Sequence, residues 1–272
     1  IMKNLNIFNE FCLMLTSICN NCQINLMVKL PNYQDWINNI AKFTATAFNI
    51  HNASTNGIHY LLMLWSKFSS SIIYFRNKTP EFLRDFVPQI TIEFMNANLS
   101  HLANQIKENT DFDSLLNEVE MTSIFQFLPS LFHSDYENSI NWVKKKFDGH
   151  FAQLQSVLNG SVRPNSTNNN QLQIIEVEMA WIVYVVAAII SGDVAFTVTQ
   201  SKNKKLDAAI SSLPLKIVPY TILRSKNMFE NGLEATPLLE RALLCFFKNF
   251  QKSHIQIYIY KPILDPVDKD LD

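Results

Sequence analysis

Residues Met179 to Ile190 read MAWIVYVVAAII, twelve consecutive apolar side chains between Glu176 and Glu178 on one side and Ser191-Gly192-Asp193 on the other. A bilayer-spanning helix needs about 18–20 such residues, so the run alone is too short to cross a membrane. A strand of that length is unusual, and Ala180, Ala187 and Ala188 favour a helix. Ser191-Gly192 then supplies the small residues on which helices commonly end. A helix that is apolar on every side has to be covered on every side. The expectation is therefore a stack of helices with this one inside it and no membrane insertion.

Composition narrows the rest. Five Gly and ten Pro are too few punctuators for an all-β chain with many turns. A net charge of −1 gives no general attraction to nucleic acid or anionic lipid. Cys19-Asn-Asn-Cys22 has metal-knuckle spacing, but no second pair exists and zinc wants four ligands. Cys12, Cys19, Cys22 and Cys245 read as buried structural thiols in a reducing compartment. The triplets at Asn52, Asn77, Asn98, Asn159 and Asn165 are what an Asn-rich chain produces by chance. The segment Met2–Met14 lacks the charge pattern and cleavage site of a signal peptide. The start at Ile1 reads as an excised piece of something longer.

Apolar residues recur at helical spacing along the chain. The first helix spans Leu5–Val28, with Ile7, Phe11, Met14, Leu15 and Ile18 as its stripe. Leu30-Pro31-Asn32 makes a turn before a helix from Tyr33 to about Ile50. Ser54 caps a third, and Thr79-Pro80-Glu81 opens a fourth, with a kink at Pro88. Asp113 opens a helix that Pro129 ends, and Ser134-Asp-Tyr-Glu137 matches a capping box. Residues 159–170, NGSVRPNSTNNN, read as a mobile loop before a central helix over Gln171–Ile190. Ser201–Lys205 reads as a basic loop, and Leu206–Asn227 as a helix broken near Pro214 and Pro219. Thr236-Pro237 caps the last helix, whose pattern fades beyond Ile255. Residues 1–255 thus form one series of helix pairs, and 256–272 an irregular, divergent tail. The fold class is all-α, an α-solenoid of HEAT-type helix pairs in a right-handed superhelical stack.

No catalytic constellation can be assembled, so the chain does not read as an enzyme. It has no phosphate-cradling glycine loop, no Gly-x-Ser-x-Gly and no His-Glu-x-x-His. Glu176 and Glu178 are two residues apart, so on a helix they diverge by about 200°. His59 reads as a packed or rim histidine. Trp181 and Tyr184 read as packing residues, a ligand groove being the alternative. No metal or cofactor is called for. Lys144, Lys145, Lys146, Lys202, Lys204 and Lys205 are the candidate partner contacts, on charge and expected exposure alone.

His59–Trp65 (HYLLMLW), Tyr136-Glu137 followed by Phe147-Asp148, Trp181 through Ile190, and Phe246-Phe247 with Phe250 together resemble the exportin-7 group of nuclear transport receptors, which includes the Ran-binding protein 16 and 17 type. The likeness runs from about Phe11 to Ile255, a middle section of a much longer receptor. It implies a HEAT-repeat superhelix of the importin-β superfamily. It further implies partners in Ran-GTP, protein cargo and nucleoporins, and shuttling between nucleus and cytoplasm. A static HEAT scaffold without Ran dependence is the rival reading. The sequence departs from that pattern in its basic Ser201–Lys205 segment, where relatives are expected to be acidic, in the Asn-rich stretch and in the 256–272 tail.

Overall fold

A computed structural model of the chain describes residues 2, 4–50, 54–74, 81–108, 116, 118–158, 166–192, 200–230 and 238–264. Thr79-Pro80, Asp113, Asn159–Asn165, Thr236-Pro237 and the tail 265–272 lie outside them. Twelve α-helices run through the described residues, which contain no strand. They are α1 (Leu5–Asn21), α2 (Ile24–Met27), α3 (Tyr33–Phe48), α4 (Thr55–Tyr74), α5 (Glu81–Lys107) and α6 (Glu118–Phe125). After these come α7 (Leu128–His133), α8 (Tyr136–Leu158), α9 (Ser166–Ser191), α10 (Gln200–Ser211), α11 (Val218–Glu230) and α12 (Leu238–Leu264). A 3₁₀ turn, Pro214–Ile217, joins α10 to α11. The all-α, repeat-type architecture read from the sequence is what the chain adopts.

Helix boundaries follow local chemistry. Asn4 caps α1, its side-chain oxygen accepting from the N–H groups of Asn6 and Ile7. Asn32, with φ of 64°, takes the left-handed conformation that turns the chain into α3. Several expectations shift. The first helix breaks at Cys22-Gln23, so Leu5–Val28 becomes α1 and α2. Pro129 ends nothing: it sits in the first turn of α7, where its missing N–H costs nothing. The Ser134 hydroxyl donates back to the Leu131 carbonyl, and the Asp135 carbonyl accepts the first bond of α8. α9 begins at Ser166, so the Asn-rich stretch is helical from there on. Ser201–Lys205 is part of α10 and no loop. α12 continues to Leu264, nine residues past the point where periodicity fades.

The register of α1 is also corrected. Phe8, Cys12, Leu15 and Cys19 are buried against α4, whereas Ile7, Met14 and Ile18 of the expected stripe are exposed. Both faces are apolar, and spacing alone does not say which turns inward. Gly57 of α4 allows the close approach, since a Cβ there would lie 2.1 Å from the Phe8 ring. Farther along, the Trp65 indole N–H donates to the Thr44 hydroxyl at 3.0 Å, tying α4 to α3. Phe48 of α3 meets Phe94 of α5 edge-on at 5.3 Å.

α9 is the centre of the molecule. It packs along α12 and against α5, α7, α8 and α10. Every residue from Met179 to Ala187 is buried, as is Ile189, while Ala188 and Ile190 are half-buried. Counted over Gln171–Ser191 the helix is longer than the apolar run and has mean hydropathy 2.0, enough in length and composition to cross a bilayer. The stretch Lys205–Lys226 passes the same test at 1.2, but it is divided by the 3₁₀ turn. Of the α9 window, 72% is buried inside the protein, so neighbouring helices cover most of it.

Candidate partner-binding surface

α8 is amphipathic. Ile140, Val143, Phe147 and Leu154 face the core, which leaves the lysines between them on the outside. Lys144 and Lys145 are exposed. Lys146 is half-buried and folds over the Trp142 ring, 5.5 Å from its centre, so it is less available than its neighbours. α10 packs on α8 and presents Lys205 to solvent. The Lys202 and Lys204 side chains lie outside the described residues. The fold thus brings the two lysine-bearing helices side by side.

Buried and part-buried polar pairs hold this region. The Tyr136 hydroxyl of α8 donates to Asp207 of α10, with His133 stacked on the Tyr136 ring at 4.4 Å. Glu176 of α9 takes the Arg224 guanidinium and the Tyr220 hydroxyl of α11. Burial pushes the Glu176 carboxyl up, and Arg224 and Tyr220 pull it back only in part. Glu178 faces the other way, toward His150 of α8 at 3.6 Å. Burial pushes Glu178 up to about 7 against the opposing effect of Lys146 and Lys107, and pushes His150 down. Near neutral pH the contact therefore joins an uncharged ring to a partly protonated carboxyl, beyond hydrogen-bond distance, and is not an ion pair. As the 200° divergence requires, the two glutamates serve different neighbours.

A cavity of about 370 Å³ opens among Met121, Phe125, Pro129, Tyr184, Cys245 and Asn249. Tyr184 lines it, whereas Trp181 packs edge-on against Phe125 at 6.1 Å. Among the described residues the lining has no carboxylate, imidazole or ammonium group. His59 is half-buried against Phe127 at 5.1 Å, a packed histidine. No three His, Cys, Asp or Glu among the described residues are placed to hold a metal. Of the cysteines, Cys12 and Cys19 are buried, Cys245 is half-buried, and Cys22 is exposed, contrary to expectation.

A family model described as "Exportin-7-like, TPR domain" matches residues 102–261, more than half of the chain. The chain belongs to the exportin-7-like family. Among curated proteins it is 26% identical to Exportin-7-B of Xenopus laevis over 94% of this chain and 22% of that protein. It is 25% identical to Ran-binding protein 16 of Drosophila melanogaster, over 91% of this chain and 21% of the relative. It is also 25% identical to Ran-binding protein 17 of Homo sapiens, over 91% and 22%. The chain spans about a fifth of the length of these relatives. No solved structure matches it. The exportin-7-like match takes in α8, α9, α10 and α11, hence both lysine-bearing helices and the polar pairs between them. Sequence reading missed those pairs because their members lie 44 and 71 residues apart. The one available signal was a glutamate at the mouth of an apolar run, which demands a buried partner.

Proposed function

We propose that this chain is a segment of an exportin, a receptor whose full-length chain binds Ran in its GTP form together with protein cargo. In this reading the receptor shuttles between nucleus and cytoplasm and meets nucleoporins on the way. The segment performs no catalysis and needs no cofactor. The observation that carries the reading is the exportin-7-like match over residues 102–261, joined by relatives named exportin or Ran-binding protein along nearly the whole chain. The shape is compatible: stacked helices present extended surface suited to a folded partner. Lys144, Lys145, Lys146, Lys202, Lys204 and Lys205 are proposed as contacts to an acidic partner surface, with Lys144, Lys145 and Lys205 the better placed. The test is a pull-down of the full-length protein with Ran-GTP and with Ran-GDP. Binding confined to the GTP form is expected; equal or absent binding would favour a static scaffold. Charge reversal at the six lysines is expected to weaken partner capture, and unaltered capture would remove them from the site.

A further inference from the structure

α12 buries one face and leaves another unused. Leu239, Ala242, Leu243 and Phe246 are buried, and the Asn249 amide donates to the Ala187 carbonyl of α9 at 3.2 Å. On the outer side Leu244 is 68% exposed and Phe247 40%, with Lys248, Gln251 and Lys252 exposed beyond them. Helical spacing puts these five residues on one face, apolar at one end and cationic at the other. The preceding helix and turn also carry exposed Leu215, Ile222 and Leu223, elsewhere in the chain than this face.

Basic residues predominate in this part of the chain. Across 212–253 Lys216, Arg224, Lys226, Arg241, Lys248 and Lys252 stand against Glu230, Glu234 and Glu240, in a chain of net charge −1. Glu240 already accepts a hydrogen bond from Ser225 at 3.0 Å, Arg224 is committed to Glu176, and Lys216 reaches Asp148 at 3.4 Å. The exposed face of α1 is a useful contrast. There Ile7, Met14 and Ile18 are exposed on a helix whose one charged residue is Glu10, a surface that another helix could cover at little cost. Covering Lys248 and Lys252 with an apolar helix would strand two ammonium groups. An occupant that fits α12 brings apolar side chains and carboxylates together.

We propose that the outer face of α12 binds an acidic amphipathic segment of a partner protein, whose apolar side chains pack on Leu244 and Phe247 while its carboxylates meet Lys248 and Lys252. The proposal rests on reading the chain as a protein-binding receptor segment and is independent of any Ran dependence. The probe is a fluorescein-labelled helical peptide with Leu on one face and Glu flanking it, titrated against the full chain by anisotropy. Binding is expected to weaken with added salt and to fall about tenfold in K248E/K252E, with a similar loss in Leu244→Asn. A peptide with Lys in place of Glu is expected to bind K248E/K252E better than the unaltered chain. That swap separates a real contact from a folding defect. Equal binding of the Glu and Lys peptides to the unaltered chain would overturn the proposal. So would binding only to phosphatidylserine vesicles, or binding that emerges only after truncation at Leu264. Failure here with Ran-GTP capture intact would reject this surface and leave the receptor reading standing.

Discussion

The Tyr220 hydroxyl lies 2.5 Å from Glu176 Oε1, and the two residues belong to helices α11 and α9. With Arg224 on the same carboxylate, this cluster fastens α11 to the core helix. Removing the cation alone leaves a buried carboxylate with only the Tyr220 hydroxyl to offset its burial. Arg224→Met is therefore expected to destabilise the fold by about 3–5 kcal/mol. The double change with Glu176→Leu should cost clearly less than the two single changes summed. Urea denaturation of the four proteins measures the coupling, and strict additivity would contradict the pairing.

Gly57 sets the distance between α1 and α4. Gly57→Ala drives a methyl into the buried Phe8 ring, which must shift within the core to admit it. A loss of about 1–3 kcal/mol is expected, read as a lower thermal midpoint. Gly149 has nothing within 4 Å of its added Cβ, and Gly149→Ala is expected to be neutral or mildly stabilising through helix propensity.

Glu178 gives a pH signature. Its folded value of about 7 stands above its ordinary 4.5, so between those values the folded state holds more proton than the unfolded one. The contribution of Glu178 to stability is present at low pH and is lost as pH rises through that window. His150 acts in the opposite sense: its folded value is depressed below 6.5, so its contribution grows as pH rises toward 6.5. Comparing the pH dependence of the thermal midpoint in the unaltered chain and in Glu178→Gln isolates the first effect. The variant should gain stability relative to the parent as pH rises from about 5 to 7. A constant difference would refute it.

Thiol reactivity follows burial. Cys12 and Cys19 are inside the α1–α4 contact, and burial pushes both thiols up to about 12. Cys22, three residues on, is exposed. Brief iodoacetamide treatment of the native protein at mildly alkaline pH should modify Cys22 and spare Cys12 and Cys19. Peptide mass mapping reads the result, and equal labelling of all three would contradict the packing of α1.

The sequence made helix existence legible and left orientation obscure, for reasons visible in single residues. The apolar run at Met179–Ile190 had to be interior because no face of it could meet water, and it is. α1 carries two apolar stripes, and of the one chosen from spacing Ile7, Met14 and Ile18 are exposed, Phe11 is half-buried and Leu15 alone is buried. Pro129 signals a boundary without saying on which side the helix lies; here the helix follows it. The six lysines were visible as charge, but which of them reach solvent depends on tertiary placement. Lys146 is drawn down onto Trp142, a contact four residues away that charge counting ignores. The pairs Glu176–Arg224 and Tyr136–Asp207 exist only once distant helices meet.

The central claim is that α9 is clamped by protein on all sides and organises the helices around it. Hydrogen exchange followed by mass spectrometry tests this most directly. The account predicts that peptides within Met179–Ile190 exchange slowest in the chain, at the rate of global unfolding, and that Trp181→Ala, expected to cost about 3–5 kcal/mol, accelerates them. Exchange of that segment as fast as the outer turns of α8, or indifferent to Trp181→Ala, would contradict it.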